Sequence, residues 1–289
     1  MKKITITGVP EHFNYPWKQV VQRQPFLEKG IQLEWIDEPR GSGAMNISLR
    51  EGGTDLAVVL TESFIRDKSE GNPALIVGFH VDSPLIWGIH GSGKSEIKDI
   101  SELGHGDFVI SRFGSGSHLM AFILAKREGW ELNNLNFEVV GDLDGAKEAL
   151  QDEIHKLFLW EKFTTKPLVD QGAFTRIGEI PTPWPCFIIA ANPKVLMEHQ
   201  AIVENLRDLV YQESINLSKR SDYASILSQA YHLNEEDIKS WLKQTKWAEN
   251  NRIPLHSLQN TIDILKELGL IEKPISPEEL VFRPLVELC

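Results

Sequence analysis

Twice in this chain a buried-strand pattern runs straight into another one, and these junctions constrain the fold more than any other feature. At the first, the apolar run Ala74–Phe79 passes through His80-Val81-Asp82-Ser83-Pro84 into Leu85–Ile89. At the second, Phe174–Ile180 passes through Pro181-Thr182-Pro183-Trp184-Pro185 into Cys186–Ala191. Around them the rhythm is strand, turn, helix. Lys3–Gly8, Ile31–Ile36, Leu56–Leu60, Phe108–Ile110 and Phe137–Val140 each precede a helical stretch. Most of these runs are continuously apolar, which suits a parallel sheet with helices on both faces. A strand followed by a strand is how a chain leaves one such layer and enters another.

In open α/β sheets ligands bind beyond the carboxyl ends of the strands. The turns there are rich in polar and small residues: Val9 to Pro16, Gly41-Ser42-Gly43, Thr61-Glu62-Ser63 and Gly141 to Gly145. The fullest is Ser111-Arg112-Phe113-Gly114-Ser115-Gly116-Ser117, which leads into an apolar helix stopped by Lys126, Arg127 and Gly129. Unpaired N–H groups at a helix start, beside hydroxyls and an arginine, suit an anion or a carbonyl oxygen. From Pro193 to about Leu270 the chain reads as helical, and the proline-rich tail reads as an extended wrap.

Composition removes several function classes. The 289 residues carry a net charge of −11 and no lysine/arginine run with interleaved aromatics, so nucleic acid and anionic membranes are poor partners. Two cysteines, Cys186 and Cys289, make neither a disulfide framework nor a zinc pattern. MKKITITG enters a strand at once, with no apolar signal-peptide core, and no stretch is long enough to cross a bilayer. The expectation is a soluble, cytoplasmic protein, or a periplasmic one if a signal has been trimmed.

Four motifs invite chemistry. Gly88-Ile89-His90-Gly91-Ser92-Gly93-Lys94-Ser95 fits the phosphate-loop pattern letter for letter. That mechanism needs a helix starting at the lysine and serine, and only a short segment follows, so a hairpin tip is the better reading. Ser117 and His118 are adjacent on a helix start and lack the flanking glycines of a nucleophile elbow. His12, His80 and His118 each sit near a strand end, without ligand spacing on one helix, and read as hydrogen-bonding groups. Trp160-Glu161, with Trp184, could give a pocket a flat apolar wall and an acceptor.

Together these residues resemble the type II periplasmic-binding-protein fold, in the superfamily that binds nitrate, alkanesulfonates and the pyrimidine precursor of thiamine. The carriers are Val9-Pro10-Glu11-His12-Phe13, Ser111 to His118, Gly141-Asp142-Leu143-Asp144-Gly145, Leu159-Trp160-Glu161-Lys162-Phe163-Thr164-Thr165-Lys166, Thr182-Pro183-Trp184-Pro185 and Gly269 to Pro274. The tryptophan motifs look like an intracellular branch with no assigned transporter.

The resemblance implies two α/β lobes, 1–83 with 187–289 and 84–186, each a mostly parallel sheet flanked by helices, with two hinge crossings. It also implies a small molecule held in the cleft between the lobes. By position the first lobe would offer Glu11, His12, Phe13, Asn14, Ser42, Gly43, Thr61, Glu62, His80, Asp82 and Ser83. The second would offer Ser111, Arg112, Gly114, Ser115, Ser117, Asp142, Trp160 and Glu161.

The expected function is binding of a small anionic or heterocyclic metabolite, without cofactor or metal. A transporter permease would be a partner if the chain were exported. One alternative is a cytoplasmic enzyme of cofactor or vitamin biosynthesis, of thiamine- or menaquinone-pathway type, with a histidine moving protons. The cysteine-rich iron motif of thiamine-pyrimidine synthases is absent, as is the threonine-rich turn of the menaquinone enzymes. A nucleotide binder using Lys94 is the third reading.

Overall fold

Leu56, Ala57, Val58 and Val59 are all fully buried, so this strand is covered on both faces as its unbroken apolar run requires. It lies in the first of two units into which the computed structural model divides, Met1–Pro84 with Trp184–Cys289 and Leu85–Pro183. Residues 1–151 and 155–289 are described. The chain runs β1 (Lys2–Gly8), α1 (Tyr15–Arg23), β2 (Ile31–Asp37), α2 (Ser42–Glu51), β3 (Leu56–Leu60), α3 (Thr61–Ser69) and β4 (Leu75–Val81). The second unit follows with β5 (Ile86–Ser92), β6 (Asp107–Ile110), α4 (Gly116–Glu128), β7 (Asn136–Val139), α5 (Leu143–Leu150), β8 (Lys156–Glu161), α6 (Lys166–Asp170) and β9 (Phe174–Pro181). The chain then returns to unit 1 through β10 (Phe187–Ala191), α7 (Pro193–Ser218), α8 (Tyr223–Tyr231), α9 (Glu235–Leu242) and α10 (Leu255–Glu267).

Each unit is built on a five-stranded sheet. The order is β2-β1-β3-β10-β4 in unit 1 and β7-β6-β8-β5-β9 in unit 2. β1 runs parallel to β2 and β3, while β10 runs antiparallel to both β3 and β4. In unit 2, β6 runs parallel to β7 and β8, and β5 antiparallel to β8 and β9. The strand that enters each sheet after a crossing is therefore the one that runs against its neighbours. The mostly parallel α/β architecture read from the apolar runs is the one observed.

Polar contacts fix the long helix α7 to its sheet. Tyr211 Oη donates to the carbonyl of Phe79 at 2.9 Å, and buried Arg207 donates to the carbonyls of Val77 (3.0 Å) and Leu285. A Cβ on Gly78 would fall 2.1 Å from Tyr211 Oη, so only glycine lets the helix come this close. The C-terminal tail is more ordered than an extended wrap. It forms a helical turn at Pro277–Leu280, a bridge from Val281 to Ile76 on β4, and a short parallel pair with residues 252–253.

The phosphate-loop match does not fold as one. Gly88 to Ser92 lie in β5, paired with β9 throughout and with β8 at Gly88 to His90. Gly93 then donates its N–H to the carbonyl of Ala173 at 3.0 Å, and a Cβ there would sit 1.8 Å from the carbonyl oxygen of Gly172. The glycine serves a close backbone approach, and no helix begins at Lys94 or Ser95. The nucleotide-binding reading loses its structural premise, which was that helix.

Candidate functional site

In unit 1 the carboxyl ends of β1, β3 and β4 meet the amino end of β10, and the candidate residues of four loops gather at this edge. Beyond β1, residues His12–Asn14 make a single 3-10 turn with all three side chains buried. The His12 ring packs against Trp241 (centroids 4.0 Å) and Phe13 (5.2 Å), and burial pushes its pKa down to about 3. The Phe13 carbonyl accepts from His80 Nε2 at 2.9 Å and from Trp247 Nε1 at 3.0 Å. Asn14 Nδ2 donates to the carbonyl of Val9 at 2.8 Å, and Glu11 is half-buried.

Beyond β2, Ser42 opens α2 and its Oγ accepts the N–H of Leu60 at 2.9 Å, with Gly43 next to it. Thr61 and Glu62 are the first two residues of α3. Thr61 binds the returning chain twice: its hydroxyl donates to Pro185 O at 2.6 Å and its N–H to Cys186 O at 3.0 Å. Glu62 is 1% exposed and its Oε2 accepts Trp184 Nε1 at 2.8 Å; burial raises its pKa to about 7. At the end of β4, burial lowers His80 to about 4 and raises Asp82. The Asp82 N–H donates to Lys246 O at 2.8 Å, and Ser83 Oγ accepts the Lys246 N–H at 3.0 Å.

Four polar atoms on these loops are buried without a hydrogen-bond partner: His12 Nε2, Asn14 Oδ1, Glu62 Oε1 and His80 Nδ1. A buried polar group left this way costs about 1–3 kcal/mol. All four belong to the strand-end residues of this one sheet edge.

In unit 2 the serines of the Ser111–Ser117 loop fold the loop itself. Ser117 Oγ accepts the Ser111 N–H (3.0 Å) and lies 2.9 Å from Ser115 Oγ, which caps α4 by accepting the His118 N–H (3.3 Å). His118 Nδ1 accepts the Gly114 N–H at 3.1 Å. Arg112 is half-buried, whereas Phe113 beside it is 64% exposed. Asp142 is exposed and caps α5 through Gly145 N (3.0 Å).

Trp160 and Glu161 do not face one pocket. As neighbours on β8 they point to opposite faces, and Trp160 stacks on Phe158 (5.3 Å) against the core cluster around Val109, Ala146 and Leu150. Glu161 Oε2 accepts from Phe163 N (3.0 Å), Thr164 N (2.6 Å) and Thr164 Oγ1 (2.8 Å), so it closes its own turn. Among the described residues no three His, Cys, Asp or Glu side chains are placed to hold a metal ion.

Sequence reasoning missed Trp241 and Trp247, which wall His12 and Phe13 from far along the chain, Trp247 lying 234 residues beyond Phe13. The one signal available was two tryptophans within seven residues of an otherwise polar helical stretch.

The whole chain aligns with solved structures of this architecture. The Candida albicans CA3427 gene product, described as exhibiting the generic periplasmic binding protein structural fold, superposes with a TM-score of 0.87 at 24% identity, over 100% of this chain and 99% of that one. The chain has the periplasmic-binding-protein-like fold. Other proteins of this fold include the alkanesulfonate-binding protein SsuA from Xanthomonas axonopodis pv. citri, bound to MOPS (TM-score 0.76, 14% identity, 100% and 99% coverage). The ligand-binding component of an ABC-type import system from Staphylococcus aureus, with zinc bound, is similar too (TM-score 0.79, 14% identity, 99% and 98% coverage). A family model described as Ca3427-like PBP matches residues 87–180, within the second unit of this periplasmic-binding-protein-like chain. No curated protein matches the sequence.

Proposed function

We propose that this chain is a small-molecule binding protein of the Ca3427-like kind, with its ligand held by the loops at the carboxyl ends of the strands. The observation that carries the reading is the set of four buried, unpartnered polar atoms on the turn after β1, the first turn of α3 and the end of β4. Neighbours of the same fold hold an organic sulfonate buffer in one case and zinc in another, which supports binding without naming a ligand for this chain.

A cytoplasmic setting is part of the proposal. Both cysteines are free thiols, which suits a reducing compartment. Recovery of the protein outside the cytoplasm on cell fractionation would refute that part. In the cytoplasm the protein would need no permease.

Native mass spectrometry of protein purified from its own host tests the central reading. The expected spectrum carries a small-molecule adduct that denaturation removes. Protein without an adduct, whose melting temperature no member of a metabolite library raises, would refute it.

A further inference from the structure

We propose that the ligand presents hydrogen-bond-donating nitrogen, as a protonated amine, amidine or heterocyclic N–H, to Glu62 Oε1 at the edge of unit 1. This rests on the small-molecule reading above and names the chemical class for that site.

The argument starts from which atoms are already committed. Glu62 Oε2 takes the Trp184 indole N–H, a group that can only donate, so the bond fixes the carboxyl and leaves Oε1 over. Asn14 gives its amide N–H to the carbonyl of Val9, which can only accept, so the orphan is its carbonyl oxygen. His80 gives Nε2–H to the carbonyl of Phe13 by the same logic, and its orphan Nδ1 is an acceptor. The Trp17 indole, an unpartnered donor, lies edge-on to His80 with ring centroids 6.2 Å apart, so His80 is not counted toward the ligand. Glu62 and Asn14 therefore carry the case. Above pH 7, where Glu62 is ionised, both offer lone pairs, and both ask for a donor.

Charge agrees. The loops of this edge carry Glu11, Glu38, Glu62 and Asp82, with Glu249 acting on Asp82; the cations beside them are Arg40, bidentate on Glu38 (2.8 and 2.6 Å), and Lys246, whose charge acts on Asp82, so Glu62 has neither cation as its own partner. An oxyanion brought to this edge would face carboxylates and acceptors. A cationic or N–H group would face partners, and its positive charge would offset the desolvation that now holds Glu62 up to about 7. The aromatic surroundings, with Trp184 on Glu62 and Phe13 on Phe187 at 5.1 Å, suit a planar group.

The test uses two probes of equal shape and opposite hydrogen-bonding sense, benzamidine and benzoate, titrated calorimetrically at about pH 8. Benzamidine binding to the wild-type protein, with benzoate showing none, is the expected result. Glu62→Gln should then weaken benzamidine about ten- to a hundred-fold, the loss of one charge-assisted bond. The wild-type comparison stands even if the variant does not fold. Preference for benzoate, or benzamidine affinity unchanged in Glu62→Gln, overturns the donor assignment and leaves the small-molecule reading intact. The assignment also falls if neither probe binds while a library member without donor nitrogen does. If nothing binds at all, both fall.

Discussion

Replacing Glu62 by glutamine isolates the cost of burying its carboxyl. In the folded chain the group is 1% exposed, its own backbone N–H and Trp184 Nε1 only partly offset the desolvation, and its pKa stands at about 7 against 4.5 for the free side chain. Because the folded value is the higher one, the native state holds its proton where the unfolded chain has lost it. The stabilisation is therefore complete below pH 4.5 and is lost as the pH rises through 7. At about 1.4 kcal/mol per pH unit the loss is about 3 kcal/mol. Glutamine keeps the shape and presents its oxygen to Trp184, leaving an unpartnered NH2 whose cost does not change with pH. Urea unfolding followed by tryptophan fluorescence at several pH values gives both stabilities. The wild-type stability minus the Glu62→Gln stability should fall by about 3 kcal/mol between pH 4.5 and 7.5. Histidines that titrate in the same range are common to both proteins and cancel. Parallel profiles would refute the account of Glu62 as a buried, desolvated acid.

Acid should weaken the wild-type fold. His12, His80 and His90 are held neutral by burial with pKa values of about 3, 4 and 4, below the ordinary 6.5, so their contribution is full above pH 6.5 and is lost as pH falls toward 4. In Glu62→Gln, where the opposing contribution of Glu62 is removed, a urea midpoint as high at pH 5 as at pH 7.5 would contradict this. Gly78→Ala places a methyl 2.1 Å from Tyr211 Oη and should cost about 1–3 kcal/mol in the same assay, whereas an unchanged midpoint would show that α7 can retreat. Glu161→Ala strips the acceptor from two backbone N–H groups and should destabilise by about 2–4 kcal/mol; a neutral effect would free Glu161 for a ligand role. ATP should leave the melting temperature unchanged, since no helix follows Lys94, and a rise would restore the nucleotide reading.

The architecture was legible because unbroken apolar runs such as Leu56–Leu60 can only be buried on both faces, and a strand leading into a strand marks a change of sheet. The site was legible more coarsely. Strand-end loops picked out His12, Thr61, Glu62 and His80, because polar residues directly after apolar strands stand out. They could not show how those groups are spent. Ser115 and Ser117 look like ligand hydroxyls in sequence, yet they cap and brace their own loop. Trp160-Glu161 reads as a pocket wall beside an acceptor, but a strand sends adjacent side chains to opposite faces. Trp241 and Trp247 reach the first loop only through tertiary packing, which periodicity does not encode.

The place of β10 between β3 and β4 has a consequence for how the protein is made. As the chain emerges from the ribosome, β3 and β4 lack their shared neighbour until residue 191 has been synthesised. All five strands of the other sheet lie between Ile86 and Pro181, so that unit has its whole pairing partner set in one uninterrupted stretch. During translation the later half can close while the earlier half still waits with an open seam, and the nascent chain's exposure to aggregation or chaperones falls on β3 and β4.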